Sequence, residues 1–196
     1  MTWEEFVSNV QQWARERGIY EHSTPDAQLL KALSELGELA DAVIKNDREA
    51  LKDAIGDVAV CMVNYAKMAD VVLPEEPAFG RPVYSDEHII SVMCSILGCA
   101  LRGLKSYDDN RDFARALSAI AFNNSLDFLE CCAAAWNEIK DRKGQMVEGG
   151  VFVKEEASAE QCLAELKDEM ARLEEQMEAI GAGGVTRGQR LMNRRE

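Results

Sequence analysis

The stretch "LSELGELADAVIKNDREALKDAIGDVAVCMVNYAK", residues 33–67, decides how this chain folds. It divides at Asn46-Asp47, and on either side apolar residues recur at three- and four-residue spacing, the period of an amphipathic helix. Both halves also carry acids inside that pattern: Glu35 and Glu38 before the break, Asp53 and Asp57 after it. Gln28, Lys31, Glu35 and Glu38 follow one another at three, four and three residues, so they line one face of the earlier helix. Leu29, Leu33, Leu36, Ala40 and Val43 form a separate apolar stripe. On the later helix Asp53, Asp57, Cys61 and Asn64 share a face, and Leu51, Ile55, Val58, Met62 and Tyr65 form the packing stripe.

Two readings of the acids compete. Charges on a helix usually mark a solvated outer face. Against that, almost no other charge lies between Ala54 and Ala66, and Asp57 stands alone in "AIGDVAVCMVNYA". A carboxylate buried there without a partner would be costly. Two such helices packed together bring four carboxylates near one another, and divalent cations with oxygen ligands, Mg²⁺ or Mn²⁺, relieve that repulsion. Gly37 and Gly56 each precede an acid and are small enough to let helices approach closely. A di-iron bundle needs Glu-x-x-His pairs. Neither His22 nor His88 follows a Glu at that spacing.

Outward from this pair the chain remains helical in pattern. A first helix covers Trp3 to Arg17 and stops at Gly18; "HSTPDAQ" then offers Ser23 or Thr24 as N-cap with Pro25 in the first turn. The second helix runs to about Lys45 and the third from about Arg48 to Asp70. "LPEEPAFGRPVYSDEH" holds three of the four prolines and reads as a long loop. A fourth helix spans about Asp86 to Lys105, the turn "SYDDNRD" follows, and a fifth spans about Asp112 to Lys140. "MVEGGVFV" reads as a small hairpin. The expected fold class is therefore all-α, a bundle of about five helices filling residues 1–155. Leu163, Leu166, Met170, Leu173, Met177 and Ile180 add a heptad-like helix over 156–180, suited to an oligomer seam or to lying on the domain. Residues 181–196 read as a disordered tail.

Composition narrows the function. A net charge of −13 argues against a nucleic-acid or anionic-membrane binder, which needs a basic surface. It leaves room for a phosphate-bearing substrate if metal ions supply the positive charge. "MTWEEFVSNVQQWARERG" is no signal peptide, and no segment is long and apolar enough to span a membrane. The six cysteines lack paired metal-site spacing; buried reduced thiols in a cytoplasmic protein are expected.

"ELGEL" on one helix and "KDAIGDV" on the next resemble the MazG-like, all-α nucleoside triphosphate pyrophosphohydrolases, whose pattern is EExxE followed by ExxD. "RGIYEHSTPDAQLLKALSELGELADA" and "WNEIKDRKGQMVEGGVFVKE" are similar to the opening and the close of the bacteriophage-encoded members. The resemblance covers about residues 1 to 155. ExxE matches Glu35 and Glu38, and the closing Asp of ExxD matches Asp57. Two positions depart: Ser34 stands where the first Glu belongs, and Ala54 stands for the Glu of ExxD, with Asp53 one residue earlier.

The resemblance implies Mg²⁺-dependent (Mn²⁺ as a substitute) hydrolysis of a nucleoside triphosphate, a deoxynucleotide by preference, to the monophosphate and pyrophosphate. Glu35, Glu38, Asp53 and Asp57 would hold metal, with Glu38, or else Glu35, as general base. Asn137, Lys140, Arg142 and Lys143 would meet phosphate, as would Lys31, while Gln28 and Asn64 would bond sugar or base. Taken alone, those cations would merely complement a helix C-terminus. Asn123 and Asp127 face the same cleft or else cap the fifth helix. The resemblance further implies a homodimer or homotetramer with its site between helices of adjoining subunits, acting in the host cytoplasm if phage-encoded. Two other readings stay open: a catalytically lapsed nucleotide- or metal-binding protein, which Ser34 and Ala54 suggest, and an interaction module acting through the 156–180 helix.

Overall fold

The computed structural model describes residues 1–74, 84–101, 107–147 and 151–154. Among the described residues the order is α1 (Trp3–Glu16), α2 (Ile19–His22), α3 (Pro25–Lys45), α4 (Arg48–Met68), α5 (Asp86–Leu101), α6 (Tyr107–Asn123), α7 (Phe128–Ile139), β1 (Gly144–Val147) and β2 (Val151–Lys154). The fold is all-α, closed by the small hairpin that the sequence suggested, with Met146 opposite Phe152 and Val147 opposite Val151. Residues 1–154 form one compact unit. The heptad-like helix and the tail lie outside the described residues, as does most of the proline-rich loop.

Local chemistry sets the helix ends. Thr2 and Glu5 close a capping box on α1: the Thr2 hydroxyl accepts from the Glu5 amide at 3.1 Å, and the Glu5 carboxylate accepts from the Thr2 amide at 2.7 Å. Gly18, at φ +69°, supplies the left-handed turn that ends α1. Thr24 rather than Ser23 caps α3, accepting from the Ala27 amide at 3.1 Å, with Pro25 in the first turn. At the break, Asn46 takes the left-handed conformation and Asp47 caps α4 by accepting from the Ala50 amide. Two residues suffice, so α3 and α4 fold back as an antiparallel pair.

α4 is the central helix. Its expected packing stripe is buried throughout, and it packs against α1, α3, α6 and α7. On α3 the buried stripe is Leu29, Ala32, Leu36, Leu39 and Ala42, with Glu35 among them. Leu33, expected to pack, is exposed instead, because α4 sits against the neighbouring face.

Three further expectations are corrected. The fifth helix is two helices, α6 and α7, separated by 124–127. Ser125 lies at φ +56° and the Asp127 carboxylate caps α7, accepting from the Glu130 amide at 2.9 Å. Asn123 and Asn124 turn their amides to Asp86, each at 2.7 Å. Polar side chains that bond nearby backbone or one another interrupt a helix in this way. Second, "SYDDNRD" is not all turn, since α6 already begins at Tyr107. Third, Cys61, Cys131 and Cys132 are buried but Cys94 is exposed; no disulfide joins cysteines among the described residues.

The two glycines behave oppositely. A Cβ on Gly56 would lie 2.5 Å from Ala135 Cβ and 2.7 Å from the Cys131 carbonyl oxygen, so α7 rests directly on α4 there. A Cβ on Gly37 would meet nothing within 4 Å. Gly56→Ala is expected to cost about 1–3 kcal/mol by forcing backbone apart. Gly37→Ala should be stabilising by up to about 1 kcal/mol through helix propensity. Urea unfolding of the two variants checks both signs.

Candidate active site

The antiparallel return at Asn46-Asp47 brings the acids of α3 level with those of α4. Glu35 is buried, at 4% exposure. Lys31, one turn earlier, forms an ion pair with it. Burial opposes the charge on Lys31, but its hydrogen bond to Glu35 and the negative charges of Glu35 and Glu38 prevail and raise its pKa. Asp57 faces the same place from α4. Burial first, and then the charges of Glu35, Asp53 and Glu138, push its pKa up to about 7, with Arg142 opposing. Asp53 is exposed yet also raised, by desolvation and by Glu138, with smaller contributions from Glu35 and Glu38. Glu38 is exposed, at the outer edge of the group.

Glu138 is the residue that the sequence reading missed. Ala135 touches Gly56; three residues on from Ala135 is Glu138, and three back from Gly56 is Asp53. α7 thus packs on α4 at Gly56, and the Glu138 carboxyl lies beside that of Asp53. Glu138 also forms an ion pair with Arg142, four residues on and just beyond the end of α7. In the sequence Glu138 stands among Asn137, Lys140, Arg142 and Lys143, and spacing alone gives no sign that it meets α4. The available signal was the small pair Gly56 and Ala135, which fixes the face of α7 that meets α4.

Five carboxylates thus gather from three helices around two cations, Lys31 and Arg142. Ala54, at the position of the ExxD Glu, is buried in the apolar core at 5% exposure. Its neighbour Asp53 is the acid that reaches the cluster. Cys61 lies beside Glu35 and Asp57, and burial pushes its thiol well above the ordinary range, so it stays protonated.

The other expected site residues are distributed as follows. Gln28 is half-buried, and its amide donates to the Ser23 hydroxyl at 3.1 Å. Asn64 is buried on α4, its Oδ1 accepting from the Tyr20 hydroxyl at 3.0 Å. Burial raises that phenol to about 12, against the charge of Arg15. Asn137 and Lys140 are exposed and bonded to each other, Lys140 Nζ donating to Asn137 Oδ1 at 3.0 Å. Arg142 is half-buried at the cluster, and Lys143 is exposed just before β1. Asp127 and Asn123 serve as the cap and the Asp86 partner already described.

An all-oxygen group with excess negative charge and a thiol kept neutral suits a hard dication rather than zinc or iron. Among the described residues no three His, Cys, Asp or Glu side chains converge closely enough to cage an ion by themselves. Mg²⁺ does not require such a cage; it keeps waters and takes one or two carboxylates together with substrate phosphates.

Residues 23–74 match the family model of the MazG nucleotide pyrophosphohydrolase domain, which covers α3 and α4 with Glu35, Glu38, Asp53 and Asp57. Over 64 residues the chain is 44% identical to an uncharacterized 18.2 kDa protein from the rep-hol intergenic region of Haemophilus phage HP1. That alignment takes in 33% of this chain and 39% of the phage protein. No solved structure matches the chain. Over residues 23–74 the helix pair that carries the acids is thus similar to the MazG nucleotide pyrophosphohydrolase domain, and part of the chain is similar to a phage protein.

Proposed function

We propose that the protein hydrolyses a nucleoside triphosphate, a deoxynucleotide by preference, between the α- and β-phosphates, releasing a monophosphate and pyrophosphate. The observation that carries this reading is the meeting of Glu35 and Asp57, from the two MazG-type helices, in one under-neutralised acidic cluster. Glu35, Glu38, Asp53 and Asp57 would hold Mg²⁺ or Mn²⁺, which when bound neutralises phosphate charge and acidifies water. Lys31 holds Glu35 in one orientation through its ion pair. Glu38, which is exposed, would accept a proton from the attacking water. Arg142 can exchange its bond to Glu138 for a phosphate oxygen, and Lys140 and Lys143 add charge along the same exit.

Exposed apolar surface on α3 supports the same reading and, with it, self-association. Leu30 at 58%, Leu33 at 41% and Ile44 at 80% exposure lie along α3 with open Gly37 between them. A second copy laid on this face would cover apolar surface beside the acids, in a homodimer or a tetramer built from it. The burial of Ala54, where the family pattern has Glu, favours one second reading: a site that binds nucleotide with little turnover.

Incubation with Mg²⁺ and a panel of (d)NTPs decides between them. Pyrophosphate and a monophosphate in equal amounts are expected from at least one member. Binding without pyrophosphate supports the lapsed reading, and neither binding nor release removes both.

A further inference from the structure

Arg17 lies outside every motif discussed so far, at the end of α1. Its guanidinium reaches across 125 residues of sequence to the end of α7. Nε and one terminal nitrogen donate to the Arg142 carbonyl at 3.0 and 2.8 Å, and that same nitrogen donates to the Lys140 carbonyl at 3.1 Å. The last carbonyls of a helix lack partners inside it and carry the negative end of its dipole. The last turn of α7 contains no basic residue, so a cation from α1 supplies what the helix itself does not. Arg17 is held in place in turn, stacked 5.0 Å above the buried ring of Trp13.

The two carbonyls belong to the segment that aims Glu138 and Arg142 at the carboxylates of α4 and presents Lys140. We infer that Arg17 is a positioning residue for the phosphate-binding end of α7: its forked grip on the Lys140 and Arg142 carbonyls sets the backbone from which these side chains reach the cluster. The planar fork suits the task, because one rigid group spans both carbonyls, whereas an ammonium is a point donor on a flexible stem. Arg17 itself touches no carboxylate of the cluster in this arrangement; it acts through α7. The role in phosphate binding rests on the pyrophosphohydrolase reading, while the grip itself does not.

The test compares the full chain with Arg17→Met and Arg17→Lys by amide hydrogen exchange and by pyrophosphate-release kinetics. In Arg17→Met, exchange at Lys140 and Arg142 should accelerate about tenfold or more, with α3 and the centre of α4 unchanged. KM for the nucleotide should rise about tenfold with kcat within about threefold, and Arg17→Lys should fall between wild type and Arg17→Met in both. Unchanged exchange overturns the grip, and faster exchange with unchanged KM overturns the positioning role. Equal loss of kcat with α4 exchange raised throughout would mark Arg17 as a general stabiliser and also overturn it. A wild-type protein that releases no pyrophosphate defeats the functional reading and the positioning role built on it; exchange then still decides the grip.

Discussion

Asp57→Asn is expected to make the metal-free protein more stable above pH 7 and, at the same time, to lower pyrophosphate release by about 10²-fold or more. The two effects have one cause. In the unfolded chain Asp57 titrates near its ordinary 3.8, and in the fold near about 7. Between those values the folded protein holds a proton that the unfolded chain has released. Stability therefore falls as pH rises from about 4 to about 7 and stays reduced above that window. The displacement corresponds to no more than about 4 kcal/mol, and water reaching the partly exposed carboxyl brings the expected figure nearer 2 kcal/mol. Asparagine keeps the shape and never ionises, so the variant should show a flat profile where wild type declines. Urea unfolding at pH 4 and pH 8 in chelator reads this directly: the two proteins should be close at the lower pH and separate at the higher. Parallel profiles would mean that Asp57 is not crowded by Glu35, Asp53 and Glu138.

Glu35→Gln should lower turnover by about 10²- to 10⁴-fold, because it removes the buried acid around which the cluster is built. A second consequence separates this from simple damage. Glu35 is the largest charge contribution to the raised Asp57 pKa, after burial. Without it the pH-dependent loss of stability should end at lower pH and be smaller. Lys31 would lose its partner, and its raised pKa should return toward the ordinary lysine value, since Glu35 is the main opponent of its desolvation. Carbon-detected NMR titration of the Asp57 carboxyl in wild type and variant measures the coupling. An unmoved titration would place the two carboxylates apart.

The sequence made the central pair of helices legible because several local signals agreed there. Thr24-Pro25 starts α3, Asn46-Asp47 turns the chain, and the apolar stripe of α4 is buried along its whole length. It was less informative where the pattern depended on which neighbour a face meets. Leu33 fits the helical period of α3 but points away from α4, so only tertiary packing shows it to be exposed. The break at 124–127 was hidden because Leu126 and Phe128 continue an apolar pattern across it, although Asn-Asn-Ser carried the polar signal.

At the site, spacing found the acids of α3 and α4 because one helix period relates them. It did not find Glu138, because a contact between α4 and α7 depends on Gly56 and Ala135 fitting together, and neither announces its partner. Arg17 was hidden for the same reason: it bonds backbone carbonyls 123 and 125 residues away, and carbonyls carry no sequence signature. Among the cations near the end of α7, spacing grouped Lys140 with Asn137, and those two do bond each other. The cation that faces the carboxylates, Arg142, does so through a different spacing, four residues from Glu138.

Diffraction from crystals grown with Mn²⁺ and a non-hydrolysable α,β-methylene nucleoside triphosphate tests the central claim most directly. An anomalous peak bounded by Glu35, Glu38 and Asp57, with the triphosphate oxygens completing its coordination, is the predicted result. Bound nucleotide with manganese elsewhere, and these carboxylates left facing water, would contradict it.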